Sequence, residues 1–70
     1  MNDKIRIELY RHIKTHGGVA KWATFLGIGA PSLYSKLQGR RPMRPHEATI
    51  LEKRTGGKFS KESLIFSGKP

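Results

Sequence analysis

Apolar side chains recur along this chain at helical spacing, and glycine-marked breaks separate the repeats. Ile5, Leu9 and Ile13, with His12 and His16 beside them, share one face at steps of four, which predicts a helix over residues 3–16. Asp3 sits near its start, where a negative charge suits the helix dipole, and Gly17-Gly18 ends it. Val19, Trp22, Ala23 and Leu26 form the stripe of a second helix over 19–26, with Phe25 an extra apolar residue and Gly27 the stop. Leu33 and Leu37 pair on a third helix over 30–38, with Pro31 in its first turn and Gly39 as its terminator. Arg40 to Arg44 then read as a basic, extended link. Pro45 opens a fourth helix to about Thr55 that buries Ala48 and Leu51, with Ile50 at the edge, before Gly56-Gly57. For 58–66 two states compete. Ser60 suits a helix cap with Glu62 in the first turn, whereas Leu64-Ile65-Phe66 has high strand propensity.

Charge changes this picture of a plain helical domain. The 70 residues carry 14 Lys+Arg against 5 Asp+Glu, a formal net charge of +9. No acidic residue occurs between Glu8 and Glu47, a window holding Arg11, Lys14, Lys21, Lys36, Arg40, Arg41 and Arg44. A fold with that layout presents a basic face, and the matching partner is a polyanion. Duplex DNA, RNA and an anionic membrane surface all fit the charge alone. The chain has no cysteine, which excludes a disulfide framework, a cysteine nucleophile and a thiolate metal site. No apolar run nears the roughly 20 residues of a membrane span, and the start lacks a signal-peptide stretch, so a cytoplasmic protein is expected. One small domain covers residues 1–70, and at this size a deep catalytic pocket is not expected.

The segment Val19–Gln38 holds the most specific pattern. Two short helices flank Gly27-Ile28-Gly29, and Ala23 is small where the second helix must cross closely over the first. Gly27 stands four residues later, where the turn needs positive φ, and Ile28, Leu33 and Leu37 turn inward. This reads as a helix-turn-helix over about 19–38. With Gly18-Val-Ala-Lys-Trp-Ala-Thr-Phe-Leu-Gly27-Ile28, Leu33 through Gly39-Arg40-Arg41-Pro42, and Leu51-Glu-Lys-Arg-Thr55-Gly56-Gly57-Lys58, residues 17–64 resemble the small phage Cro repressors and the Cro-like regulators of the YdaS antitoxin type. The resemblance implies an all-α, lambda-repressor-like domain of about five short helices. It implies a sequence-specific double-stranded DNA-binding protein that represses transcription as a dimer on a palindromic operator, in a phage, prophage or bacterial regulatory switch. A YdaS-like component of a toxin–antitoxin module is the alternative role. A basic RNA-binding module is the alternative class, although the chain lacks aromatic-rich strands for stacking single-stranded bases.

Carried over by position, the third helix is the recognition helix, with Ala30, Pro31, Tyr34, Ser35 and Gln38 as base contacts. Lys21, Ser32, Lys36, Arg40, Arg41 and Arg44 are expected at phosphates. Two departures stand out. Gly29 replaces the Ser or Thr common before the recognition helix, and Tyr34 and Ser35 form a weak hydrogen-bonding set, which points towards either modest specificity or readout of DNA shape.

The remaining candidates have plainer readings. His12 and His16 have a zinc-compatible spacing, but no third ligand stands at metal spacing, although His46 exists, so they read as partly exposed helix histidines, and neither metal nor other cofactor is expected. Gly56-Gly57-Lys58 lacks the rest of a phosphate loop and reads as a helix stop. Glu47 and Glu52 imply no pocket and are expected on the surface. Nothing combines a nucleophile, a base and an orienting group, so neither an enzyme nor a small-molecule substrate is expected. Trp22 is expected in the core, and Tyr34 either faces the groove or packs at the core edge. The tail over 58–70 either completes the core or forms a two-fold contact. The expectation is Leu64 in the core and Ile65 with Phe66 in a weak or DNA-induced homodimer.

Overall fold

Five helices follow one another in the computed structural model, which describes residues 3–65: α1 (Asp3–Thr15), α2 (Val19–Leu26), α3 (Ala30–Leu37), α4 (Pro45–Arg54) and α5 (Lys61–Ile65). The domain is all-α, as expected, with each predicted helix present and its ends within one residue over α1 to α4. The exception is the tail, where the helix prevails over the strand. Ser60 Oγ accepts the Ser63 N–H at 3.1 Å, which caps α5, and no strand exists among the described residues for a tail strand to pair with. Phe66 lies outside the described residues.

The breaks are built as the glycines suggest. At the end of α2, Gly27 takes φ 71°, and the Ile28 N–H reaches back to the Ala23 carbonyl at 3.0 Å. Gly39 repeats the device after α3 at φ 82°, with the Arg40 N–H donating to the Ser35 carbonyl at 2.9 Å. A side chain at either position would have to adopt the left-handed region. The Thr-Gly-Gly-Lys turn after α4 has a different anchor. Thr55 Oγ1 donates to the Leu51 carbonyl at 2.8 Å and accepts the Phe59 N–H at 3.3 Å, so one hydroxyl folds the turn back and delivers Phe59 to the core.

The core is continuous across all five helices. Leu9 and Ile13 of α1, Trp22 and Leu26 of α2, Leu33 and Leu37 of α3, Leu51 of α4 and Leu64 of α5 are buried together. Ala23 is buried on α2, the helix that packs against α3. Trp22 is a core residue with its polar end satisfied, Nε1 donating to the His16 carbonyl at 2.9 Å. Met43 is also buried, inside the segment read from sequence as a merely extended basic link. It anchors that link to the core, flanked by exposed Arg41, Pro42 and Arg44.

His12 and His16 stack at 3.9 Å between ring centroids. The His12 ring also meets the edges of Trp22 at 5.8 Å and Phe59 at 5.7 Å. Its Nδ1 is buried and has no hydrogen-bond partner. Burial, and then the nearby His16 and Lys58 charges, hold the imidazole below its ordinary value of 6.5. A proton on His12 would leave a buried N–H without an acceptor. The folded chain thus takes up this proton at lower pH than the unfolded chain. The stabilisation is present above about 6.5 and is lost as pH falls from there through the depressed folded value. Urea midpoints should therefore fall between pH 7.5 and 5, and His12→Phe should flatten that fall. An equal acid loss in His12→Phe would assign the effect to other groups.

Candidate nucleic-acid interface

On a helix each residue advances about 100°, so residues 31, 34, 35 and 38 of the α3 region fall on one side. Pro31, Tyr34 and Gln38 are exposed there, with Ser35 half-buried. Leu33 and Leu37 occupy the opposite side and are buried. The helix thus has a clean outward face of small, polar and aromatic character. Four of the five residues expected at bases belong to it. Ala30 does not: it is half-buried and packed against the core.

Behind α3, α2 packs directly, joined only by Gly27-Ile28-Gly29. Ile28 is half-buried against the core, which fixes the turn. The Gly18 and Gly29 caps of α2 and α3 contribute no side-chain hydrogen bond, and neither first turn has an acidic residue. Their first backbone N–H groups are left to other acceptors, with the positive ends of both helix dipoles unopposed.

The cations expected at phosphates separate into two groups. Arg40, Arg41 and Arg44 are exposed on the 39–44 link. Arg41 and Arg44 line, with Ser32 of α3, one cleft of about 670 Å³, so the flank of α3 and the basic link share a concave surface. Lys21 is exposed on α2, with its Nζ 5.9 Å from the Phe25 ring centroid.

Lys36 is the correction. It is 6% exposed, and its Nζ lies 2.8 Å from Glu47 Oε1 and 3.2 Å from the Pro42 carbonyl. It is committed to the interior and is not available to a phosphate. Glu47, expected on the surface, is 1% exposed, and the same Oε1 accepts the Arg44 N–H at 3.0 Å at the start of α4. The buried pair therefore joins α3, the basic link and α4. Through the Pro42 carbonyl and the Arg44 N–H it ties the link that carries Arg40, Arg41 and Arg44 to α3 and α4.

Arg6 is a second residue that sequence reading missed. Its Nη1 donates to the Leu37 carbonyl at 3.0 Å, capping the C-terminal end of α3 from α1, while Nη2 pairs with Asp3 at 3.3 Å. Position 6 stands three residues before Leu9 and seven before Ile13, on the same side of α1 as the core stripe, but nothing in the sequence names its partner, and only the fold brings it to α3. Arg54 is likewise placed by the fold, its guanidinium 3.6 Å over the Phe25 ring.

The tail residues resolve unevenly. Leu64 is buried, as expected, and Phe59 is buried with it. Ile65 is half-buried against the core, which leaves only part of its surface for a second copy. No described helix is long and apolar enough to cross a membrane. Comparison with known proteins finds no family model, no curated protein and no solved structure that matches this chain.

Proposed function

We propose that this chain binds double-stranded DNA with α3 in the major groove and acts as a transcriptional regulator of the Cro-repressor kind. The observation that carries the reading is the outward face of α3: Pro31, Tyr34, Ser35 and Gln38 on one side of a helix backed by α2 and flanked by exposed arginines. A face of this kind meets base edges, while Arg40, Arg41, Arg44 and Lys21 supply the phosphate charge. Ser32, beside Arg41 and Arg44, adds a neutral phosphate donor. The uncapped starts of α2 and α3 favour anionic oxygens for the same electrostatic reason. A single α3 reads only a short half-site, so an operator-bound homodimer using Ile65 and Phe66 is the proposed working form, in a bacterial cytoplasm or nucleoid.

The test is fluorescence anisotropy with three labelled probes at low and near-physiological salt. The probes are the duplex upstream of the chain's own operon, a scrambled duplex of equal composition, and a matched RNA. A preference of about 10³ or more for the upstream duplex at physiological salt is expected of a specific regulator. A clear preference for RNA would overturn the proposal. Arg40→Ala/Arg41→Ala should weaken both duplexes alike and reduce the salt slope by about 2, close to one per phosphate contact removed. Ser35→Ala should alter the preference between duplexes and leave the slope unchanged. An unchanged slope in the double variant would remove both arginines from the interface.

A further inference from the structure

Among the described residues, the large hydrophobic side chains left exposed are Ile7, at 44%, and Tyr34, at 42%. They belong to different helices, yet both line one cleft of about 190 Å³ between α1 and α3, with Tyr10, Leu37, Arg6 and Gln38. Single exposed apolar residues are ordinary on a protein surface, but two that converge on a cleft form a binding feature. The Tyr10 and Tyr34 rings stand 6.5 Å apart at 57°, and buried Leu37 contributes to the lining. The cleft has room for one large apolar side chain. Ile7 has no part in the core stripe of α1, which runs through Ile5, Leu9 and Ile13.

The surroundings of the cleft are cationic. Lys4 and Arg11 stand one helical turn to either side of Ile7, and Lys14 holds its Nζ 5.3 Å from the Tyr10 ring centroid. Of the two acids on α1, Asp3 is already paired with Arg6, and Glu8 stands about a quarter turn round from Ile7. A second copy of a chain with net charge +9 is a poor occupant for such a rim. We propose that the α1–α3 cleft docks an acidic peptide segment that inserts one large apolar side chain between Ile7 and Tyr34. Because Tyr34 and Gln38 also belong to the outward face of α3, that segment and duplex DNA exclude each other, a clause that rests on the DNA-binding reading above.

Three fluorescein-labelled helical peptides test this with the full-length protein. The first carries Glu at most positions and one central Phe. The second has Ser for that Phe, and the third has Gln for every Glu. The first should bind at least tenfold tighter than either of the others. Ile7→Ser, whose helix content is checked by circular dichroism, should erase the advantage of Phe over Ser while binding duplex DNA like the parent. Unlabelled duplex should displace the bound peptide. Equal binding of the Phe and Ser peptides, or an advantage that survives Ile7→Ser, would overturn the docking site. Weaker duplex binding by Ile7→Ser would place Ile7 itself at the duplex and overturn its assignment to peptide docking alone. Simultaneous binding of peptide and duplex would overturn the exclusion. A chain that takes the peptide in the expected way but no duplex would support the cleft and refute the DNA-binding reading alone.

Discussion

Lys36→Met should cost about 3–5 kcal/mol of unfolding free energy, because it strands the Glu47 carboxylate in the interior. Glu47 is 1% exposed, and its Oε1 holds both Lys36 Nζ, at 2.8 Å, and the Arg44 N–H, at 3.0 Å. Removing the ammonium leaves that oxygen one backbone donor in place of a charge. A domain of this length has a total stability of about 3.5–10 kcal/mol at ordinary values per residue, so the single change takes a third of it or more. Glu47→Leu alone should cost a similar amount, since it leaves the ammonium buried with only the Pro42 carbonyl, at 3.2 Å. The double variant Lys36→Met/Glu47→Leu should recover most of the loss, because two apolar side chains bury without a desolvation cost. It should stay below the parent by about 0.5–2 kcal/mol, the worth of the lost acceptor at the Arg44 N–H. Urea unfolding of the four proteins closes the cycle. Two single variants each within 1 kcal/mol of the parent would mean that the pair has no hold on the fold.

That cycle also bears on function. The pair tethers the 39–44 link at Pro42 and at the start of α4, and Met43 anchors the same link in the core. If these contacts set where the arginines stand, the double variant should bind duplex DNA less tightly than its recovered stability suggests. Restored stability with unchanged DNA affinity would show that Met43 alone suffices to place the link.

Lys36 and Glu47 were legible in the sequence, but only by a finer reading than charge. Lys36 lies about 60° from Leu33 on the helical wheel, and Glu47 stands one turn before Leu51 beside Ala48. Both positions are on the inward flanks of their helices. A charge-based reading sends every cation outward, and the only signal against it is that two opposite charges occupy inward positions on helices joined by a short link. Met43 was harder. It is a lone apolar residue between Pro42 and Arg44, where no periodicity operates. The helices themselves were legible because apolar spacing and glycine stops agreed, as at Leu26-Gly27, where stripe and terminator fall together. The outward face of α3 was legible for the same reason. Arg6 was not, because its partner, the Leu37 carbonyl, is 31 residues away and only packing makes them neighbours.

Phe59→Ala should be the most damaging single change in the tail, costing about 3–5 kcal/mol by transfer and cavity terms together. The residue is 2% exposed, its ring lies 5.7 Å from the His12 ring, and its N–H is tied to Thr55 Oγ1. Sequence alone left open whether these apolar tail residues complete one copy or join two, and the two cases differ in their concentration dependence. A core residue lowers the unfolding midpoint equally at low and high protein concentration. An interface residue lowers it mainly where the dimer is populated, because association stabilises by mass action. Phe59→Ala should therefore shift the urea midpoint by the same amount at both concentrations. It should also reduce the acid sensitivity assigned to His12, since the ring loses one of the walls that bury it. Ile65→Ala should do the reverse, changing stability little and weakening two-fold association on a palindromic duplex. A concentration-dependent shift in Phe59→Ala would place this ring at a two-fold contact and refute its role as the closing residue of the core.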